Sequence, residues 1–368
     1  MSEAARPFGA ISRGAAPRWL IAAGLAAMLG GPAAVTAEPV TIGWQAFEIA
    51  GNAAAPPLDV ALWYPTRDGG ATVAIGDNPV FVGVEVVPDA RPSGAGLPLV
   101  VLSHGFGGHQ GNLAWLAAAL VEAGHVVATL DHPGTTTRDR RPGEPEMLAR
   151  RSADAGRLID RLTTERAGLV DAGLIDGGQI AVIGHSLGAW TALQLAGARF
   201  SPDRALADCA GRPELAACEL LAWAGAENPG PAARLEGDRR DARVTAVAAL
   251  DIGMARGFTE ASLEAVDIPV LVVAAGAPNP RIPAALESGH LLAHLPQATT
   301  RAIEFADAGH FSFMPTCKPG AAELLAAEEP GDEIVCLDGG DVDRAALHAA
   351  VVEATLGFLA DAWSGQRP

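Results

Sequence analysis

The chain has 368 residues, 49% of them hydrophobic, and a formal net charge of −17, so it is long and apolar enough to bury a large core. A surface this acidic repels phosphate backbones and anionic lipid headgroups, which excludes nucleic acid as an expected partner. No stretch is compositionally simple and no period of about 20 to 50 residues repeats, which removes disordered and solenoid classes.

In chain order, residues 1–37 read as an export signal peptide. Arg6, Arg13 and Arg18 form a basic start, 19–29 an apolar stretch, and Val35-Thr36-Ala37 an A-x-A-like cleavage site. The stretch falls short of the about 20 apolar residues that span a bilayer. Cleavage, a periplasmic or secreted location and no stable membrane anchor are therefore expected. Residues 38–368 remain, read as one α/β domain.

Short runs rich in valine and isoleucine then alternate with helical patterns, as in a mostly parallel sheet covered by helices on both faces. Eight strands are expected, at 40–49, 58–64, 97–103, 126–130, 179–183, 244–250, 270–274 and 300–305. Helices are expected at 112–123, 148–162, 187–197 and 343–362, where apolar residues recur at three- and four-residue spacing. Two stretches break the alternation. Residues 200–243 read as a cap or lid insertion and 315–341 as a second insertion, each with two cysteines.

The run "VIGHSLGAW" at 182–190 has the form strand, G-x-S-x-G, helix. A serine on so sharp a turn is held above the sheet, and its flanking glycines let strand and helix approach, which makes Ser186 the expected nucleophile rather than a turn serine. Serine needs a base, and the base needs an orienting group. His310, in "AGHF", directly follows the last expected strand and is favoured among nine histidines. His290, His294 and His348 lie on helical stretches, and His104 and His185 sit inside other motifs. Asp251 ends the strand "VTAVAALD" and is preferred as the carboxylate, with Asp307 as competitor. In "VVLSHGFGGHQGN", at 100–112, the backbone N–H of Phe106 is placed to act with that of Leu187 as an oxyanion hole. His132, in "DHPG", follows another strand; a place at the substrate mouth and a plain turn role stand about even.

The four cysteines of an exported chain favour disulfides over a zinc site, because C-x-x-C spacing and adjacent histidines are missing. Cys209–Cys218 and Cys317–Cys336 are the expected pairs, since each lies within one insertion.

From about Leu58 to the final helix these residues resemble the α/β-hydrolase superfamily. Within it, "SHGFGG", "DHPG", "GHSLGA" and the acid of "AALDIG" are similar to the platelet-activating-factor acetylhydrolase and dienelactone-hydrolase-like group. The resemblance implies a serine esterase acting on a small or short-acyl ester, with no metal and no cofactor. Dienelactone hydrolases carry cysteine in the elbow, and serine here argues against a dienelactone substrate. An amidase or peptidase with the same triad, and a catalytically silent binding protein of the same fold, are the alternatives.

Overall fold

Successive residues of Leu97–Ser103 enter different cores: Leu99 and Val101 join one apolar cluster, Val100 and Leu102 another. The same division runs through 180–183 and 270–273. These strands therefore bury both faces, as the two-residue period of a covered parallel sheet requires. Each aliphatic side chain fully buried this way contributes about 1.5–3 kcal/mol relative to exposure. The sheet is consequently a rigid platform for the loops at its edge.

The computed structural model describes residues 41–53, 55–164, 173–339 and 342–364. The expected signal peptide and Val40, the first residue of the first expected strand, lie outside them. Ten strands occur among the described residues: β1 Thr41–Ile49, β2 Leu58–Thr66, β3 Val73–Ile75, β4 Val84–Pro88, β5 Leu97–Ser103, β6 Val126–Leu130, β7 Ile175–His185, β8 Ala246–Leu250, β9 Val270–Ala275 and β10 Thr300–Phe305. They form one sheet in the order β10-β9-β8-β7-β5-β6-β2-β1-β4-β3. From β10 to β6 all neighbours are parallel, whereas β2 is antiparallel to β6 and to β1.

Two strands exceed the eight expected. β3 and β4 have three and five residues, too few to impose a readable period, and they lie at one edge of the sheet. The helices are α1 Ala114–Glu122, α2 Glu146–Thr163, α3 Leu187–Leu195, α4 Pro202–Gly211, α5 Ala216–Trp223, α6 Pro229–Ala232, α7 Glu260–Glu264, α8 Ser288–His294, α9 Ala321–Glu328 and α10 Arg344–Trp363. Helices α2 and α3 cover one face of the sheet, and α1 and α10 the other.

The first insertion is helical, carrying α4, α5 and α6, and Cys209 is bonded to Cys218 within it. Its entry is apolar: Phe200 packs edge-on against Trp190 and Phe258. The second insertion contains α9, and Cys317 is bonded to Cys336. Both pairs are the ones expected from position.

Candidate active site

Parallel strands send their carboxyl ends to one edge, and the loops there carry the residues singled out in the sequence. At the end of β7 the chain turns sharply into α3, with Ser186 between them at φ 56 and ψ −120. The flanking glycines permit that turn. A Cβ on Gly184 would lie 2.0 Å from the Gly188 carbonyl carbon, and one on Gly188 would lie 1.9 Å from the Ser103 oxygen. No other residue fits either position.

Ser186 is half-buried, whereas His310 and Asp251 are buried. The hydroxyl of Ser186 donates to His310 Nε2 at 3.0 Å, and His310 Nδ1–H donates to Asp251 Oδ2 at 2.6 Å. The second carboxylate oxygen, Oδ1, accepts the backbone N–H of Ala275 at 2.9 Å. Asp251 itself is locked to the sheet by its own N–H, which donates to the Val273 carbonyl at 2.7 Å. Asp307, the competing acid, is exposed, and Asp251 occupies the imidazole Nδ1.

The loop bearing His310 is tied down from several sides. His185 Nε2–H donates to the His310 carbonyl at 2.8 Å. Burial, with the neighbouring His310 as a second cause, pushes the His185 imidazole down to about 3, so it stays a neutral donor. Gly309 N–H donates to Ser312 Oγ at 2.9 Å, and Ser312 Oγ–H donates in turn to Asp338 in the second insertion. Asp338 is paired with the buried Arg344, which also donates to the Pro315 and Val335 carbonyls at 3.0 and 2.9 Å. On the sheet side, Trp115 donates to the Phe313 carbonyl at 3.0 Å and stacks flat on His348.

Opposite His310, the loop after β5 presses on the serine, since a Cβ on Gly105 would lie 3.2 Å from that of Ser186. Among the described residues neither Phe106 N–H nor Leu187 N–H has a hydrogen-bond acceptor. Leu187 opens α3, where first-turn amides lack intrahelical partners and favour negative charge. Phe106 is 38% exposed, and its ring meets Trp223 of α5 edge-on, with centroids 4.6 Å apart. The first insertion thereby reaches the loop beside Ser186.

His132 is not at the mouth. Its side chain is fully buried, with Nε2 accepting from Ser103 Oγ at 2.9 Å and Nδ1–H pointing to Asp154 Oδ2 at 3.4 Å. The chain turns this imidazole under the sheet edge toward α2, where both nitrogens find partners. Burial, with Arg151 nearby, holds it well below the usual histidine range. Sequence reading missed what surrounds it: His104, Arg151 and Asp154. A signal exists for Arg151, which sits on the apolar stripe of α2 beside Met147, Leu148, Ala155 and Leu158. Among the described residues, no three His, Cys, Asp or Glu side chains gather as a metal site.

Residues 97–210 match the family model described as serine aminopeptidase, S33. A bis(hydroxyethyl) terephthalate hydrolase of Streptomyces coelicolor is 35% identical over 107 residues, which is 29% of this chain and 31% of that relative. The chain thus spans about a third of the length of that relative. Among solved structures, a ferulic acid esterase from Streptomyces cinnamoneus superposes with a TM-score of 0.60 at 21% identity. That match covers 91% of this chain and 93% of the other.

Proposed function

Because the chain has the α/β-hydrolase fold, we propose that it is a serine hydrolase that cleaves small or short-acyl carboxylic esters through an acyl-enzyme on Ser186. One observation carries the reading: the unbroken hydrogen-bond chain from Ser186 Oγ through His310 to Asp251. His310 Nε2 takes the hydroxyl proton as Ser186 Oγ attacks the ester carbonyl. The imidazolium so formed is stabilised by Asp251 and returns its proton to the departing alcohol. Water then repeats the sequence on the acyl-enzyme. The carbonyl oxygen gains negative charge at both steps, and the amides of Phe106 and Leu187 are the donors that receive it.

The similar proteins support an ester substrate by name, one for bis(hydroxyethyl) terephthalate and one for ferulic acid. The family description favours a second reading, amide or peptide hydrolysis by the same residues. Matched p-nitrophenyl esters and p-nitroanilides separate the two. We expect acetate and butyrate esters to be cleaved at rates that fall with longer acyl chains, and anilides to be cleaved negligibly. Faster cleavage of anilides would overturn the ester assignment. Absence of turnover together with failure of a fluorophosphonate to label Ser186 would favour a binding protein. A location outside the cytoplasm belongs to the same proposal and is supported by the two disulfides.

The Cys317–Cys336 bridge closes a loop of sequence separation 19, and such a loop is worth roughly 3 kcal/mol in the chain-entropy model. It also braces the stretch that holds Asp338, and through Ser312 the turn bearing His310. The double variant Cys317→Ser/Cys336→Ser should therefore lose activity before it unfolds. The loss is bounded by the roughly 10²-fold that a 1 Å displacement of a catalytic group costs. Ester turnover measured alongside circular dichroism on a temperature ramp checks this. Activity that persists unchanged up to the melting transition would confine the bridge to a stabilising role.

A further inference from the structure

We propose that Arg151, buried beneath the loop after β5, is a positioning residue that sets the two oxyanion donors relative to Ser186. The inference rests on the esterase reading and deepens it. Arg151 is 0% exposed, and its guanidinium reaches three separate segments around the serine. Nε–H donates to Thr191 Oγ1 of α3 at 3.0 Å, and Nη1–H to Thr135 Oγ1 in the loop after β6 at 2.7 Å. Nη2–H donates to Ser103 Oγ at 3.3 Å and to the His104 carbonyl.

Both donors hang from these anchors. Phe106 lies two residues past His104, and the His104 ring leaves little slack between them: Nδ1–H donates to the Gly105 carbonyl at 2.7 Å, while Nε2 accepts His132 N–H at 3.1 Å. Farther along, Gly107 N–H donates to the Thr135 carbonyl at 2.9 Å, on a residue Arg151 also holds. On the other side, Thr191 Oγ1–H donates to the Leu187 carbonyl at 3.0 Å, so the guanidinium is coupled to the first turn of α3. Only a planar, multiply donating cation fits this set of acceptors; a lysine ammonium is a compact point charge on a flexible stem.

Stability alone does not account for the residue. Among the described residues Arg151 has no carboxylate within ion-pair distance, although Asp154 lies one turn along α2. Burial lowers its guanidinium to about 9, so it stays protonated at neutral pH. Removing a cation from water is expensive, and no carboxylate at ion-pair distance offsets it here. Apart from Ser152 and Asp154, the buried face of α2 that it occupies is apolar. What Arg151 supplies there and an apolar residue cannot is a fixed direction for the His104 carbonyl, and oxyanion donors act only within about 2.7–3.1 Å of the charge they stabilise.

The test compares Arg151→Met and Arg151→Lys with the unaltered chain. The measurements are kcat and KM for p-nitrophenyl acetate and the inhibition constant of an aryl trifluoromethyl ketone, which adds to serine as an oxyanion. We expect kcat to fall by about 10²-fold, the scale of one lost oxyanion donor. KM should stay within about twofold, because the donors act on the transition state rather than on bound ester. The ketone should weaken by the same factor as kcat. If the methionine variant does not fold, the lysine variant decides, with a smaller loss but the same pairing of kcat and ketone affinity. A folded variant with unchanged kcat, a raised KM at constant kcat, or a fall in kcat without weaker ketone binding would overturn the proposal. An unaltered chain that neither turns over ester nor reacts with fluorophosphonate would instead remove the esterase reading on which it stands.

Discussion

Ser186→Ala should leave a folded protein whose ester hydrolysis has fallen by about 10⁴ to 10⁶-fold, because triad residues act as a unit. The substitution deletes one oxygen from a half-buried side chain and leaves the surrounding backbone intact. Ser186 N–H donates to the Leu250 carbonyl at 3.0 Å, and the Ser186 carbonyl accepts from Ala189 N–H at 3.0 Å; alanine keeps both. His310 loses one partner but retains Asp251 on its other nitrogen. Unfolding should consequently be nearly unchanged, while turnover and fluorophosphonate labelling vanish together. More than a tenth of the original kcat/KM in the alanine variant would remove Ser186 as the nucleophile.

Asp251→Asn should reduce turnover by about 10⁴-fold, the cost of presenting imidazole in the wrong tautomer, and the structure states why the amide cannot avoid this. Ala275 N–H donates to Oδ1 and needs an acceptor there. An asparagine satisfies it only by placing its oxygen on that side, which aims its NH₂ group at His310 Nδ1. The imidazole then accepts at Nδ1 and carries its proton on Nε2, where it cannot take the proton of Ser186. Asp307→Asn is the control, expected to cost little because that side chain is exposed. Steady-state turnover of the two variants decides; a larger loss for Asp307 would reverse the assignment of the acid.

The meeting of Ser186, His310 and Asp251 is legible in the sequence because each stands at a punctuated strand end. Ser186 lies between glycines whose missing side chains are a steric necessity, and Asp251 closes an apolar run that leaves it no bland surface role. Strands β5, β6, β8 and β9 and the second half of β7 are legible for a related reason: burial on both faces writes continuous apolar runs. What is not legible is where polar groups go once buried. His132 and His310 both follow strands, yet one turns under the sheet edge and the other back over it, and no local pattern distinguishes them. Arg151 announces itself only as a charge on an apolar stripe, because its partners Ser103, Thr135 and Thr191 are scattered along the chain. Strands β3 and β4 are too short to carry a period; they pair with each other, and among the described residues only the short contact of β4 with β1, distant in sequence, joins them to the sheet.

Four non-glycine residues among those described have left-handed φ: Asp89, Ser186, Asp251 and Met254. Three of the four belong to the two turns that face each other across the candidate site, where Gly253, beside Met254, would bring a Cβ within 3.8 Å of Ser186 Oγ. Backbone held in such regions costs on the order of 1–3 kcal/mol per residue, a large share of the about 5–15 kcal/mol that keeps a domain folded. Glycine would relieve that strain at 186, since it adopts positive φ freely, but it would delete the hydroxyl; at 251 it would also strip the buried Ala275 N–H and His310 Nδ1–H of their acceptor. Selection for heat resistance without a turnover readout will therefore be drawn to position 186. The sturdiest descendants of this chain would be inert, so any search for a more durable variant has to score every clone for chemistry as well as survival.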